Sequence, residues 1–143
     1  MLVFLAKGGF IMALILVCSI VSLAVVIERF YKLRQIGIRA KKVPVDAAMV
    51  RELEQNIDIL GVIAQTAPLL GLLGTVLGMI RAFMRIEELA GMANPQALAG
   101  GIWEALLTTA FGLAVAIPSF VMFHYFSRKA DEYALAAEAE RAV

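Results

Sequence analysis

The sequence holds one cysteine and one histidine in 143 residues. A lone cysteine, Cys18, rules out an intramolecular disulfide and any cysteine-based metal site. A lone histidine, His124, rules out bis-histidine haem ligation and histidine-rich metal centres, which argues against an electron-transfer anchor subunit. Charge is scarce as well: 17% of the residues are charged, against about a quarter in a soluble domain. With 62% of residues hydrophobic, too little polar surface remains to cover a water-soluble fold of this size. The net charge of +1 offers nothing to a nucleic acid. Nucleophile–base pairs, phosphate-binding loops, metal-ligand sets, internal repeats and low-complexity stretches are also missing, so an enzyme is not expected, and neither is a cofactor.

Long uncharged runs are what the sequence does have, at residues 8–27, 59–80 and 105–123. Each matches the roughly 20 residues that cross about 30 Å of hydrocarbon as a helix. The expected fold class is therefore an all-α membrane protein with three transmembrane helices, at approximately 8–28, 59–84 and 99–125. A connector at 29–58 and a helical tail at 126–143 complete a single domain over 1–143. The first run is longer than a signal-peptide core and ends in Glu28-Arg29-Phe30-Tyr31-Lys32 without a small-residue cleavage site, so it reads as a retained helix.

The basic residues set the expected orientation. Arg29, Lys32, Arg34, Arg39, Lys41, Lys42 and Arg51 lie between the first two runs, and Arg128, Lys129 and Arg141 follow the third. Only Lys7, Arg81 and Arg85 fall on the other side. This predicts the N-terminus outside, with the connector and C-terminus cytoplasmic. Tyr31, Tyr125 and Tyr133 suit an interfacial aromatic belt. The first helix is expected to extend as a basic segment to residue 42 and to break at Val43-Pro44-Val45. Asp46 then caps a short helix, and 92–96, with Asn94-Pro95, forms the outer turn. The charges of the cytoplasmic parts read as solvated faces.

Within the second run, Gly71, Thr75, Gly78 and Ala82 fall within about 60° of one another at 100° per residue. Gly74 and Gly78 form a GxxxG pair, the spacing that lets membrane helices approach closely. On the third, Gly101, Glu104, Ala105, Thr108, Thr109, Gly112, Val115, Ala116 and Ser119 share an arc of about 140°. The larger apolar residues take the remainder. Pro118 predicts a kink near the Ala114 carbonyl. Glu104 is the costly residue, since a carboxyl within a span faces a bundle interior or an aqueous path. Two readings stay open for it: proton exchange, or pairing with Arg81 or Arg85 at the outer interface. His124 reads as interfacial, and Cys18, Ser19 and Ser22 as helix packing.

Two motifs carry a family resemblance. Ala67-Pro68-Leu69-Leu70-Gly71-Leu72-Leu73-Gly74-Thr75-Val76-Leu77-Gly78-Met79 is the first. Gly101-Ile102-Trp103-Glu104-Ala105-Leu106-Leu107-Thr108-Thr109-Ala110-Phe111-Gly112-Leu113-Ala114-Val115-Ala116-Ile117-Pro118 is the second. In this order they resemble the paired signature of the ExbB/TolQ/MotA proton-channel family, most closely its three-helix ExbB and TolQ branch. The resemblance implies a multi-pass protein of the bacterial inner membrane that forms a homo-oligomeric ring, pentameric in known relatives. It implies a single-span ExbD- or TolR-like partner within the ring and a TonB- or TolA-like protein receiving the work. Protons would be the coupling ion, and TonB-dependent import the process served, with Tol-type envelope maintenance or a non-conducting scaffold as alternatives. By motif position, Thr75 and Thr109 correspond to the family's pore-lining threonines and Glu104 to its span-three glutamate. Thr108, which shares the Glu104 face, is placed with them in the proton pathway, and Gly71, Gly74, Gly78, Gly112 and Pro118 are assigned to helix packing. Most relatives carry a larger region between the first two spans than the one here, and a flagellar stator role is not expected.

Overall fold

The computed structural model describes residues 9–39, 47–88 and 95–141, all but a two-residue turn of them helical. The helices are α1 (Gly9–Arg39), α2 (Ala47–Glu54), α3 (Ile57–Glu88) and α4 (Pro95–Arg141). Three of them, α1, α3 and α4, are long and apolar enough to cross a membrane. The expected break at 43–45, the cap at Asp46 and the turn at 92–94 lie outside the described residues. Pro95, read as part of that turn, instead opens α4. A proline fits the first helical position because the amide hydrogen it lacks would have no partner there.

The 47 residues of α4 span about 70 Å at 1.5 Å per residue, more than twice the hydrocarbon thickness. Its last third therefore continues beyond the bilayer, alongside the end of α1. The helix runs on through Pro118.

α3 and α4 make the central contact. A Cβ built on Gly112 would lie 2.6 Å from the Ala67 carbonyl oxygen and 3.1 Å from Gly71 Cα. One on Gly78 would lie 2.7 Å from the Ala105 Cβ, and one on Gly71 3.0 Å from Thr109 Cα. The backbones meet with no side chain between them. In hydrocarbon there is no hydrophobic drive between helices, so this closeness, with its gain in dispersion contacts, is what association rests on.

α1 lies across the pair and is held at two levels. Ser22 Oγ and Ser119 Oγ share a buried 2.6 Å hydrogen bond, while Ser119 also bonds the Val115 carbonyl at 2.8 Å. Nearby, Cys18 packs on Ile63, Ala67 and Ala116. Further along, Val25, Ile36, Leu53, Ile57, Leu60, Phe126 and Ala130 form a core that joins all four helices.

Arg29 corrects the reading of the connector charges as solvated faces. It is 2% exposed, and its guanidinium donates to the carbonyls of Glu52 at 2.9 Å and Leu53 at 3.1 Å. A third bond, of 3.0 Å, reaches the Glu28 carboxylate, which also pairs with Lys32. The last carbonyls of α2 have no helical donors and carry the negative end of its dipole, so a cation is drawn there. Asn56 then takes a positive φ of 60° to turn the chain into α3.

Two outcomes follow for stability in detergent. Arg29→Ala strips the donors from the end of α2, and unfolding is expected to cost about 2 kcal/mol less than in the parent. Arg29→Lys keeps the charge and recovers part of that. Gly112→Ala drives a methyl into the α3 backbone and is expected to destabilise by about 1–3 kcal/mol. Thermal unfolding followed by circular dichroism reads both. An unchanged melting temperature in Gly112→Ala would contradict the close approach.

Candidate functional site

Several polar groups of the spanning segments lie along the α3–α4 seam. At its middle, Thr109 Oγ1 donates to the Gly71 carbonyl of α3 at 2.8 Å. Thr75 Oγ1 donates to the Leu72 carbonyl within its own helix at 2.6 Å. The two hydroxyl oxygens lie 3.4 Å apart. That separation is beyond the usual O–H···O range, so each proton stays with its carbonyl. A hydroxyl has one donor and two lone pairs. With both donors engaged, the pair presents acceptor oxygens side by side, suited to water or to a protonated carboxyl. The half-buried Thr75 also borders an open, mostly apolar groove of about 650 Å³ along α3, which passes Met79 and Phe83 and ends at Glu87.

Thr108 is placed differently. It is 3% exposed, its hydroxyl donates to the Glu104 carbonyl at 3.0 Å, and its methyl faces the position where Gly74 has no side chain. Ser119 is likewise spent on Ser22. The structure thus brings Thr75 and Thr109 together, and it buries Thr108 between helices.

Glu104 sits half-buried on α4, five residues before Thr109. No ion pair joins it to Arg81 or Arg85 among the described residues; Arg81 turns its Nε to the Leu77 carbonyl at 3.3 Å. Gly71, Gly74, Gly78 and Gly112 all lie at the α3–α4 contact. Pro118 is exposed on the outer side of α4.

His124 is exposed, with Nδ1 3.0 Å from the Phe120 carbonyl and the ring packed on Phe120. The Nδ1–H is the donor there, which leaves Nε2 without a partner among the described residues. No group of three or more metal-ligating side chains occurs among the described residues.

Sequence reasoning missed the Arg29 clamp and the Ser22–Ser119 link. A basic residue at the end of a span, followed by a short helix of high amphipathicity, was the available signal for the first. Nothing local announces the second, whose partners are 97 residues apart.

Residues 42–139 match the MotA/TolQ/ExbB proton channel family. Over 129 residues the chain is 40% identical to the biopolymer transport protein ExbB of Aquifex aeolicus, covering 90% of this chain and 85% of that protein. It is 38% identical over 122 residues to ExbB of Helicobacter pylori, covering 85% and 82%. It is also 34% identical over 114 residues to the Tol-Pal system protein TolQ of Haemophilus influenzae, covering 73% and 50%. Both ExbB relatives are thus matched over more than four fifths of their own length.

The hydroxyl geometry can be checked without any transport assay. Thr109→Val removes the interhelical donor at constant shape and is expected to lower stability by about 0.5–1.5 kcal/mol, whereas Thr109→Ser restores it. Denaturation in mixed micelles measures both variants.

Proposed function

The chain belongs to the MotA/TolQ/ExbB proton channel family, and from that premise we propose that it is the ring-forming, proton-conducting subunit of an energy-transducing complex. Family membership and three spanning helices place it in the bacterial inner membrane. In this reading the N-terminus is outside, with the connector and C-terminus cytoplasmic, a placement that the distribution of basic residues supports. Copies surround the single span of an ExbD- or TolR-like partner, and the work passes to a TonB-like protein for outer-membrane import. The relatives of matching length both carry the name ExbB, while the TolQ relative is aligned over half its length, which favours the import role.

The observation that carries the reading is the Thr75–Thr109 pair on a close-packed seam, with Glu104 on the same helix. Acceptor oxygens without fixed charge can receive a protonated carboxyl from the partner and release it once ionised. An ionised carboxylate meets lone pairs there and is repelled, which weakens its hold on one protomer. With several equivalent positions around a ring, alternate protonation and release moves the partner from one position to the next. A proton crossing 100 mV supplies about 2.3 kcal/mol, enough to bias such steps. Glu104 serves as the protein's own exchangeable group at the entrance, and no cofactor beyond the coupling protons is needed.

The test is proton flux into liposomes holding this protein together with its single-span partner. Thr75→Val, Thr109→Val and Glu104→Gln are each expected to lower flux by about tenfold or more, a transition-state loss of about 1.4 kcal/mol, with the native mass of the complex unchanged. Full flux in all three variants would sink the conducting role and leave a scaffold.

A further inference from the structure

Gln65 lies exposed on α3 and makes no hydrogen bond to the described residues. It stands seven residues past Asp58, about 10 Å along the helix, and uncharged residues continue from Ile59 to Ile80. An amide at that depth is costly unless it finds a partner.

α4 offers the complementary deficiency. Pro118 has no amide hydrogen, so the Ala114 carbonyl loses its helical donor. Ala114 and Pro118 are both exposed, and Ala114 carries only a methyl side chain. Serine or threonine back-bonding does not serve it, since the nearest such hydroxyl, on Ser119, bonds the Val115 carbonyl.

The two groups share a depth. Ala67 packs on Gly112, and Gly61 packs on Phe123. Between those contacts Gln65 stands level with the segment of α4 that holds Ala114 and Pro118. They nevertheless point apart within one chain. Gln65 is two residues from Ala67 and Ala114 two from Gly112, so each faces about 160° away from the Ala67–Gly112 contact, and both are exposed. The donor is on the far side of α3 and the acceptor on the far side of α4. One copy cannot join them, but two copies related by an axis along the membrane normal can, because such an axis preserves depth. Repetition gives a closed palisade of alternating α3 and α4, the heterologous contact from which rings are built.

We propose that the Gln65 side-chain amide of one copy donates to the Ala114 carbonyl of the next, locking α3 of each protomer against α4 of its neighbour. This rests on the ring reading above and adds the residue pair that sets its register.

Two differently tagged copies, Gln65→Cys and Ala114→Cys, are co-expressed with the single-span partner in a Cys18→Ser background and oxidised in native membranes. A cross-linked pair carrying both tags is expected, absent when either copy lacks its new cysteine. Alongside, ring dissociation in rising detergent is compared for Gln65→Leu, Pro118→Ala and the double variant. Pro118→Ala returns the helical donor to Ala114. Each single change is expected to raise dissociation about threefold per interface, and the double to do no worse than either. A discrete ring without the mixed cross-link, or with additive single effects, overturns the contact and leaves the ring standing. Cross-linking of Gln65→Cys to a cysteine introduced into the span of the single-span partner overturns it by assigning this face to that partner. A chain that stays monomeric overturns both the contact and the ring.

Discussion

The backbone contact between α3 and α4 is the constraint on which the rest of the structure depends. Gly71, Gly74, Gly78 and Gly112 bring the two helices close enough for a threonine hydroxyl on one to reach a main-chain carbonyl on the other. A methyl at Gly112 would meet the Ala67 carbonyl, and moving α4 to accommodate it would lengthen the Thr109–Gly71 bond and part the hydroxyl pair. The same contact sets the antiparallel register, and hence the depth of every polar group along the seam. Packing and function are therefore not separate demands on these glycines.

α1 contributes little of that seam and is tied on by polar contacts at two depths. Two serines meet within the membrane, where an unpaired hydroxyl on either helix would be costly. At the membrane boundary Arg29 reaches across to the end of α2. Because α2 is followed after two residues by α3, this clamp positions the start of the helix that carries Thr75. The corner between α2 and α3 is thus held by one buried cation from α1.

Much of this was legible beforehand, for definable reasons. Charge-free runs of the right length announced the spans, since the bilayer demands them. The arc of small and polar residues on α4 follows from helical periodicity, and its buried members, Ala105, Thr108, Gly112, Ala116 and Ser119, do face inward. Thr75 and Thr109, by contrast, were singled out through resemblance to a family; periodicity alone placed them with several equals. Arg29 was misread because its acceptors are backbone carbonyls, which leave no mark in a sequence. Gln65 drew no notice because one amide in an apolar run has no pattern; only the register between helices gives it a counterpart.

The distribution of protons within the seam has a further consequence. Thr75, Thr108, Thr109 and Ser119 all donate to carbonyls or to a serine partner inside the same chain. Their donors are committed, so what the two half-buried hydroxyls, on Thr75 and Thr109, offer outward is acceptance. Between Asp58 and Arg81 on α3, and between Glu104 and His124 on α4, no residue carries a formal charge. A seam of acceptors without charge binds a neutral acid better than its conjugate base, and it cannot itself change charge as protons pass. Any group that changes charge as protons pass lies outside this charge-free stretch. In the function proposed above, the seam supplies the fixed acceptors, and the exchangeable charge is brought to them.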